Sequence, residues 1–376
     1  MAGRQVIIIG AGLGGLMCGR ILSRQGYAVT LLEQGTQAGG ALQTFVRDGI
    51  RFDTGFHSVG GLEPGEPLDL IFRQLELRDL PWFRMEPDEC IGCDEPFLRL
   101  STGWEEERRH VLEPYRHSIW RIEGGGKTLI DALAKGQQLL LRKKVTAIED
   151  RTVTCADGSS YRGDIVISAI HPAVTMQLVR DHIRSAYLQR IETLSNSPGA
   201  FTVYAKLRPG TIRHLRHSIF VNNDFMIHFG DEVVDGFARS LDIVTFATGA
   251  LPQTPPLRPA ITQGSPARSP LAPDGAWSPA GRNAFAEELI RKAAVRLPGL
   301  PEAIEKYWTS TPKTWERYTG TPGGSAYGIR KNSTADFLAP QTPLPWLFLT
   351  GQNLGLHGIL GTSVSALNTC NTISLL

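Results

Sequence analysis

The chain has 376 residues, enough for two domains, and 39 basic against 37 acidic side chains leave a formal charge of +2. That balance carries no electrostatic footprint for a nucleic-acid partner, and no apolar run reaches the length of a membrane-spanning helix. Five scattered cysteines, Cys18, Cys90, Cys93, Cys155 and Cys370, argue against a disulfide framework, while 40 Gly and 24 Pro imply many turns. A cytoplasmic protein is expected, and the basic runs Arg142–Lys144 and Arg213–Arg216 are where it could touch an anionic membrane surface. Cys90 and Cys93 are the one close pair; no second pair or nearby histidine completes a zinc site, so a hairpin tip and no metal are expected.

Val6 to Ile9 reads as a buried parallel strand, and Gly10-Ala-Gly12-Leu13-Gly14-Gly15 follows without a spacer. The spacing predicts a helix that turns Leu13, Leu16, Met17, Ile21 and Leu22 inward, with Gly26 at its C-terminal end and a second strand from Ala28 to Glu33. Gly10 makes the turn, Gly12 lets backbone approach a pyrophosphate, and Gly15 lets helix and strand pack closely. Unpaired amides at the helix start face the phosphates. Glu33, followed by Gln34, stands where a carboxylate accepts from both ribose hydroxyls and repels a 2′-phosphate, which favours an unphosphorylated adenine dinucleotide.

A second glycine turn, Gly39-Gly40 before Ala41, and a short strand entering Asp53-Thr-Gly55-Phe-His57 come next. A nicotinamide enzyme has no need of these turns, whereas a flavin dinucleotide must thread its ribityl chain past backbone. A short helix from Leu68 to Leu75 and hairpin strands within Trp82–Leu100 are expected, then a charged, exposed stretch from Trp104 to His117. Ser118–Glu123 returns to the nucleotide domain and leads into a helix through Asp131 to Gln138. Gly124-Gly-Gly-Lys127-Thr128 invites a phosphate-loop reading, but Arg121 stands where that loop needs its first glycine. Lys144–Glu149 and Thr152–Cys155 form a hairpin, Asp164–Ala169 is a buried strand, and Val145 and Ala169 lie at strand positions near the adenine end. His171-Pro172 stops the sheet.

Ile183, Tyr187, Ile191 and Leu194 share a helix face, and strands at Phe201–Leu207, Ser218–Val221, Phe225–His228 and Leu241–Thr248 predict an antiparallel sheet. Eight of the 24 prolines fall between Pro252 and Pro279, which predicts a loop or flap. Asn283 is placed to cap a helix with Phe285, Leu289, Ala293 and Leu297 inward, and Trp308, Trp315 and Tyr318 either line an apolar pocket or fill core. Trp346–Thr350 is a buried strand, Gly351 to Gly361 a glycine loop, and Thr362–Ile373 a helix whose N-terminus can stabilise negative charge on a reduced flavin.

The Val6-to-Glu33 fingerprint, the Gly39-Gly40 turn, Asp53-Thr-Gly55-Phe-His57 and the loop from Thr350-Gly-Gln352 to Gly361 together resemble the phytoene desaturase family of flavoproteins, which lies within the amine-oxidase-like class. The resemblance implies an α/β, Rossmann-like FAD-binding domain of the glutathione-reductase type with an inserted α+β substrate domain on an antiparallel sheet. It divides the chain into 1–61, 118–175 and 325–376 for FAD, and 62–117 and 176–324 for substrate. It further implies non-covalent FAD, with Gly10, Gly12, Gly15 and Glu33 on the ADP half, Gly40 near the pyrophosphate or ribityl chain, and Val145 near the adenine. Gly351, Gln352, Gly358 and Ile359 would lie near the ribityl and the ring. Two departures stand out: Gln352 where the family carries an acid, and a quick passage from Trp104 to Ser118 where the family has more helix.

The expected chemistry is hydride exchange between flavin N5 and an apolar polyene or isoprenoid, as desaturase, saturase or isomerase. His57 and His357 are the candidates for proton transfer or substrate orientation; a structural role is the competing reading for both. Asp53 is read as a loop anchor, and Arg330 as a candidate contact to substrate or phosphate. An amine-oxidase-like enzyme and a non-catalytic dinucleotide-binding protein remain the alternatives, and the sequence sets no oligomeric state.

Overall fold

Short apolar runs without alternation must be buried on both faces, and five of them form one parallel sheet. In the computed structural model, which describes residues 3–91, 115, 117–179, 182–221, 224–247 and 277–375, its strands run in the order Leu347–Leu349, Ile165–Ser168, Gln5–Ile9, Ala28–Leu32 and Gln138–Leu140. The chain's first strand is central, pairing Val6 with Ile165 on one side and with Val29 on the other. Helix Leu13–Arg24 buries Leu13, Leu16, Met17, Ile21 and Leu22, as their spacing requires, and Gly26 takes φ +89° just beyond its end. A hairpin-based antiparallel sheet, Val145–Glu149, Thr152–Cys155 and Ser160–Arg162, joins this half, with positive φ at Asp150 and Arg151 in its tight turn.

The second sheet has six strands, in the order Ile304–Ser310, Gly199–Leu207, Ser240–Ala247, Phe225–Phe229, Ile219–Val221 and Glu89–Ile91. Strand alternation gives it two unlike faces. One carries Phe201, Val203, Ala205, Ile227 and Ile243, and helix Pro279–Ala294 covers it with Ala286, Leu289, Ile290 and Ala293. The other face turns toward the nucleotide-binding half. The fold is therefore a Rossmann-like dinucleotide-binding domain combined with a domain built on a mixed, mainly antiparallel sheet.

Several expectations are corrected. Helix Gly126–Ala134 stops before Gln138, because Gly136 turns the chain at φ +79° and Gln138–Leu140 becomes an edge strand of the parallel sheet. Trp82–Arg84 pairs with Trp120–Ile122, and Glu89–Ile91 pairs in parallel with Ile219–Val221, so among the described residues these strands find distant partners; the expected hairpin's remainder, 92–100, lies outside them. Cys90 sits on that edge strand; Cys93, the charged stretch up to Glu113 and the proline-rich stretch 252–276 lie outside the described residues. Ser278, not Asn283, caps its helix, accepting the Gly281 N–H at 3.1 Å. Helix Pro67–Gln74 packs Leu68, Ile71 and Phe72 into the core of the parallel sheet. Trp315 is buried with Ala200, Met226 and Val244, while Tyr318 is exposed. Among the described residues no helix is long and apolar enough to cross a membrane.

Candidate functional site

Three glycine turns converge at the carboxyl ends of the parallel strands. Gly10 turns the chain at φ +94°, and a Cβ at Gly15 would lie 2.1 Å from Gly10 O, so only glycine lets this helix sit so close to its strand. Gly39 N–H donates to Ala11 O at 2.8 Å, and a Cβ at Gly40 would come within 3.2 Å of Gly12 Cα. From the far end of the chain, Gly351 faces Gly14: a Cβ at Gly14 would be 3.0 Å from Gly351 Cα. The helices that follow these two loops pack together, with Cys18 Sγ 3.4 Å from Thr350 Oγ1 and 3.7 Å from Ala366 O. The two ends of the polypeptide thus meet.

The turns leave a cradle lined by backbone. No side chain caps the helix that starts after Gly12, and none caps the C-terminal helix, which begins at Gly358 after His357 and not at Thr362 as expected. Among the described residues no side chain takes these first-turn amides, which suits an anion at either N-terminus. Glu33 is buried at the end of its strand, its Oε2 accepting Ala11 N–H at 2.8 Å and Oε1 accepting Gly35 N–H at 2.7 Å. A carboxylate offers about four acceptor positions, so ribose hydroxyls still find a partner there. Lys143 N–H donates to Glu33 O, which brings the start of the Val145 strand beside this acid. These features fit an adenine dinucleotide.

Other predicted residues do different work. Ala169 backs the first glycine turn, its Cβ 3.1 Å from where a Gly15 Cβ would stand. Leu13 and Ile359 point into the core between the two helices. Gln34 Nε2 lies toward Gly320, and Gln352 Nε2 donates to Ala326 O at 3.5 Å. Ala41 joins an apolar cluster on the second sheet's open face with Ala200, Met226, Val244, Phe220, Phe246, Trp315 and Ala326. Gly126 N–H donates to Asp53 Oδ1 at 2.9 Å, so the helix start of the Gly-Gly-Lys-Thr stretch is filled by the protein's own carboxylate. Lys127 pairs with Asp131 on the same helix, and the phosphate-loop reading falls.

Asp53 is a loop anchor as expected, but it belongs to a larger buried cluster. Arg121 Nη2 stands 3.4 Å from Asp53 Oδ2, its Nε 2.6 Å from Asp231 Oδ1, and its Nη1 donates to the carbonyls of Phe229 and His57. Burial raises the Asp53 carboxyl to about 6 against the pull of Arg121. Burial, helped by Arg121, lowers His57 to about 3, and His228, on which its ring is stacked, goes well below its ordinary value. Asp242 is pushed well above the usual carboxylate range by burial and then by Asp53. His357 Nε2–H donates to Ile329 O, 3.0 Å away, and burial lowers the ring to about 4. It holds the loop before the C-terminal helix. Arg121, Asp231, His228 and Asp242 were not singled out as site residues from the sequence. The available signal was an acid inside the apolar strand Leu241-Asp-Ile-Val-Thr-Phe246.

A family model described as flavin containing amine oxidoreductase matches residues 71–220, and one described as NAD(P)-binding Rossmann-like domain matches residues 8–75. All-trans-retinol 13,14-reductase of Macaca fascicularis is 44% identical over 92 residues, which is 24% of this chain and 15% of that protein. A 4,4'-diapolycopene oxygenase of Methylomonas sp is 44% identical over 52 residues, 14% of this chain and 10% of that protein. These matches thus span no more than 15% of either relative's length. A solved putrescine oxidase bound to putrescine superposes with a TM-score of 0.68 at 15% identity, covering 100% of this chain and 99% of its own, which is a likeness of fold.

Proposed function

We propose that the chain, which over parts of its length resembles flavin-containing amine oxidoreductases, retinol 13,14-reductase and diapolycopene oxygenase, is an FAD-dependent oxidoreductase acting on an apolar polyene or isoprenoid. Gly12, Gly40 and the first-turn amides after Gly12 would hold the pyrophosphate, Glu33 the ribose, and the uncapped start of the C-terminal helix the ring's acidic edge. When bound, FAD supplies a hydride acceptor or donor at N5. The observation that carries the substrate class is the sheet face gathered round Ala41: Ala200, Met226, Val244, Phe220, Phe246 and Trp315 form an apolar wall next to the second glycine turn. Such a wall desolvates a hydrocarbon and positions it by contact alone.

A polar amine finds less support. The Arg121 guanidinium is bonded to Phe229 O and His57 O beside this face, and burial disfavours the charged forms of His57 and His228. The test is an anaerobic visible spectrum of the FAD-loaded protein, oxidised and chemically reduced, before and after addition of a polyene alcohol, phytoene or putrescine, with product analysis. Bleaching of the oxidised form, or reoxidation of the reduced form, by a polyene and not by putrescine is expected. A response to putrescine alone overturns the substrate class, and no response to any of them favours a dinucleotide-binding protein without turnover.

A further inference from the structure

The open face of the antiparallel sheet carries a polar row that the apolar wall does not explain. Tyr204 pairs with Asp242, and Asp242 with His228, so the three stand side by side on adjacent strands. The His57 ring lies flat on His228, with centroids 3.7 Å apart and planes within 6°. His57 Nδ1, His228 Nε2 and Asp242 Oδ1 are cut off from solvent and meet no hydrogen-bond partner among the described residues. An unsatisfied buried polar group is costly, and folded proteins keep few of them. Three in one cluster leave hydrogen-bonding capacity that the described residues do not use.

The chemistry of the cluster selects its partner. Burial disfavours the charged form of both imidazoles and of the Asp242 carboxyl, lowering the histidines and raising the acid. His228 Nδ1 is already engaged with Ser218 Oγ at 2.7 Å, which leaves Nε2 for a ligand. Arg121 is met by Asp53 and Asp231. A cationic amine would enter beside that guanidinium, and an anion would face Asp53 and Asp231. An uncharged oxygen suits the site, since it accepts from a carboxyl or imidazole N–H and, as a hydroxyl, donates to the other ring. The next row on the same face, with Val244 and Met226, lies two residues along each strand, about 7 Å away. A chain leaving the oxygen therefore runs directly onto the apolar wall.

We propose that His57, His228 and Asp242 form a head-group site for the hydroxyl or carbonyl oxygen of an otherwise apolar substrate. This rests on the reading of the sheet face as the substrate wall. A site built to hydrogen-bond an oxygen discriminates strongly against the analogue that lacks it, because its own polar atoms are then left unpaired.

The test is equilibrium binding to the FAD-loaded protein, followed by quenching of tryptophan fluorescence, for retinol, for the hydrocarbon analogue without the hydroxyl, and for retinylamine. Retinol is expected to bind about tenfold or more tighter than the hydrocarbon and than the amine. His228→Leu is expected to bring retinol within about threefold of the hydrocarbon while hydrocarbon affinity stays level. Asp242→Asn, which keeps an uncharged donor of the same shape, is expected to preserve the preference. Equal binding of retinol and hydrocarbon by the unaltered protein overturns the head-group site and leaves the apolar wall standing; this comparison decides even if His228→Leu does not fold. Binding of retinylamine or putrescine with no binding of either polyene overturns the proposed substrate class itself.

Discussion

Gly12→Ala separates cofactor recognition from folding. Gly12 has φ −74° and ψ −179°, a conformation that alanine adopts without strain. A methyl group there would meet only Gly40 Cα, at 3.9 Å, an ordinary contact. The apoprotein should therefore melt where the unaltered one does, or slightly higher, since replacing glycine at an unstrained position stabilises by about 0.4–1 kcal/mol through the unfolded chain. The same methyl stands on the Gly40 side of the first turn, where backbone has to approach the pyrophosphate. Overpacking of a close contact costs about 1–3 kcal/mol, and at about 1.4 kcal/mol per decade the Kd for FAD should rise about 5- to 140-fold. Quenching of flavin fluorescence gives the Kd, and a calorimetric melt without FAD gives the stability. An unchanged Kd, or an apoprotein melting point several degrees lower, would refute the assignment of Gly12 to the cofactor.

Gly15→Ala should do the opposite: its Cβ would fall 2.1 Å from Gly10 O and 3.1 Å from Ala169 Cβ, forcing strand and helix apart. A loss of about 1–3 kcal/mol is expected in melts of the apoprotein, before any cofactor is added. Glu33→Gln presents an amide NH2 to either Ala11 N–H or Gly35 N–H, so one buried donor loses its acceptor; stability should drop by about 1–3 kcal/mol and FAD binding should weaken in the same titration. The buried histidines should work against stability in acid. His171 and His357 are lowered to about 4 and His57 to about 3, all by burial first, against 6.5 in the unfolded chain. Their neutral forms carry full stability above pH 6.5, and as the pH falls toward 4 the unfolded chain takes up protons that the folded one refuses, each histidine at 4 costing about 3 kcal/mol. Asp53 and Asp88, raised from 3.8 to about 6, and Asp242, raised well above 3.8, work the other way, so the histidine share is read from a variant. His171→Gln should make the melting point less sensitive to acid between pH 7 and pH 5 than that of the unaltered protein; an unchanged or steeper acid dependence contradicts the neutral, buried assignment.

The dinucleotide half was legible because its signals are local. Strand, glycine turn, helix, strand and acid follow one another within Val6 to Glu33, and each depends on neighbours in sequence. Where structure depends on distant partners, the reading failed or fell silent. Glu89–Ile91 becomes an edge strand only because Ile219–Val221 is there to pair with it. The C-terminal helix starts at Gly358 because tertiary packing outweighs two glycines, and Gly361 is needed inside it, where a Cβ would strike Leu356 O at 2.2 Å. The Arg121 cluster draws on separate segments around Asp53, His57, His228, Asp231 and Asp242. Each of these residues is ordinary in its own stretch, and only the folded sheet gives them a shared role.

The central claim is that the first and last glycine loops close around one flavin. Stoichiometric titration of FAD into the apoprotein, followed by acid precipitation and a spectrum of the supernatant, tests it most directly. One FAD per chain, bound with quenched fluorescence and recovered intact in solution, is the predicted result, with Gly14→Val, placed against Gly351, losing it. A chain that stays colourless at saturating FAD, or a Gly14→Val chain that binds as well as the original, would contradict the claim.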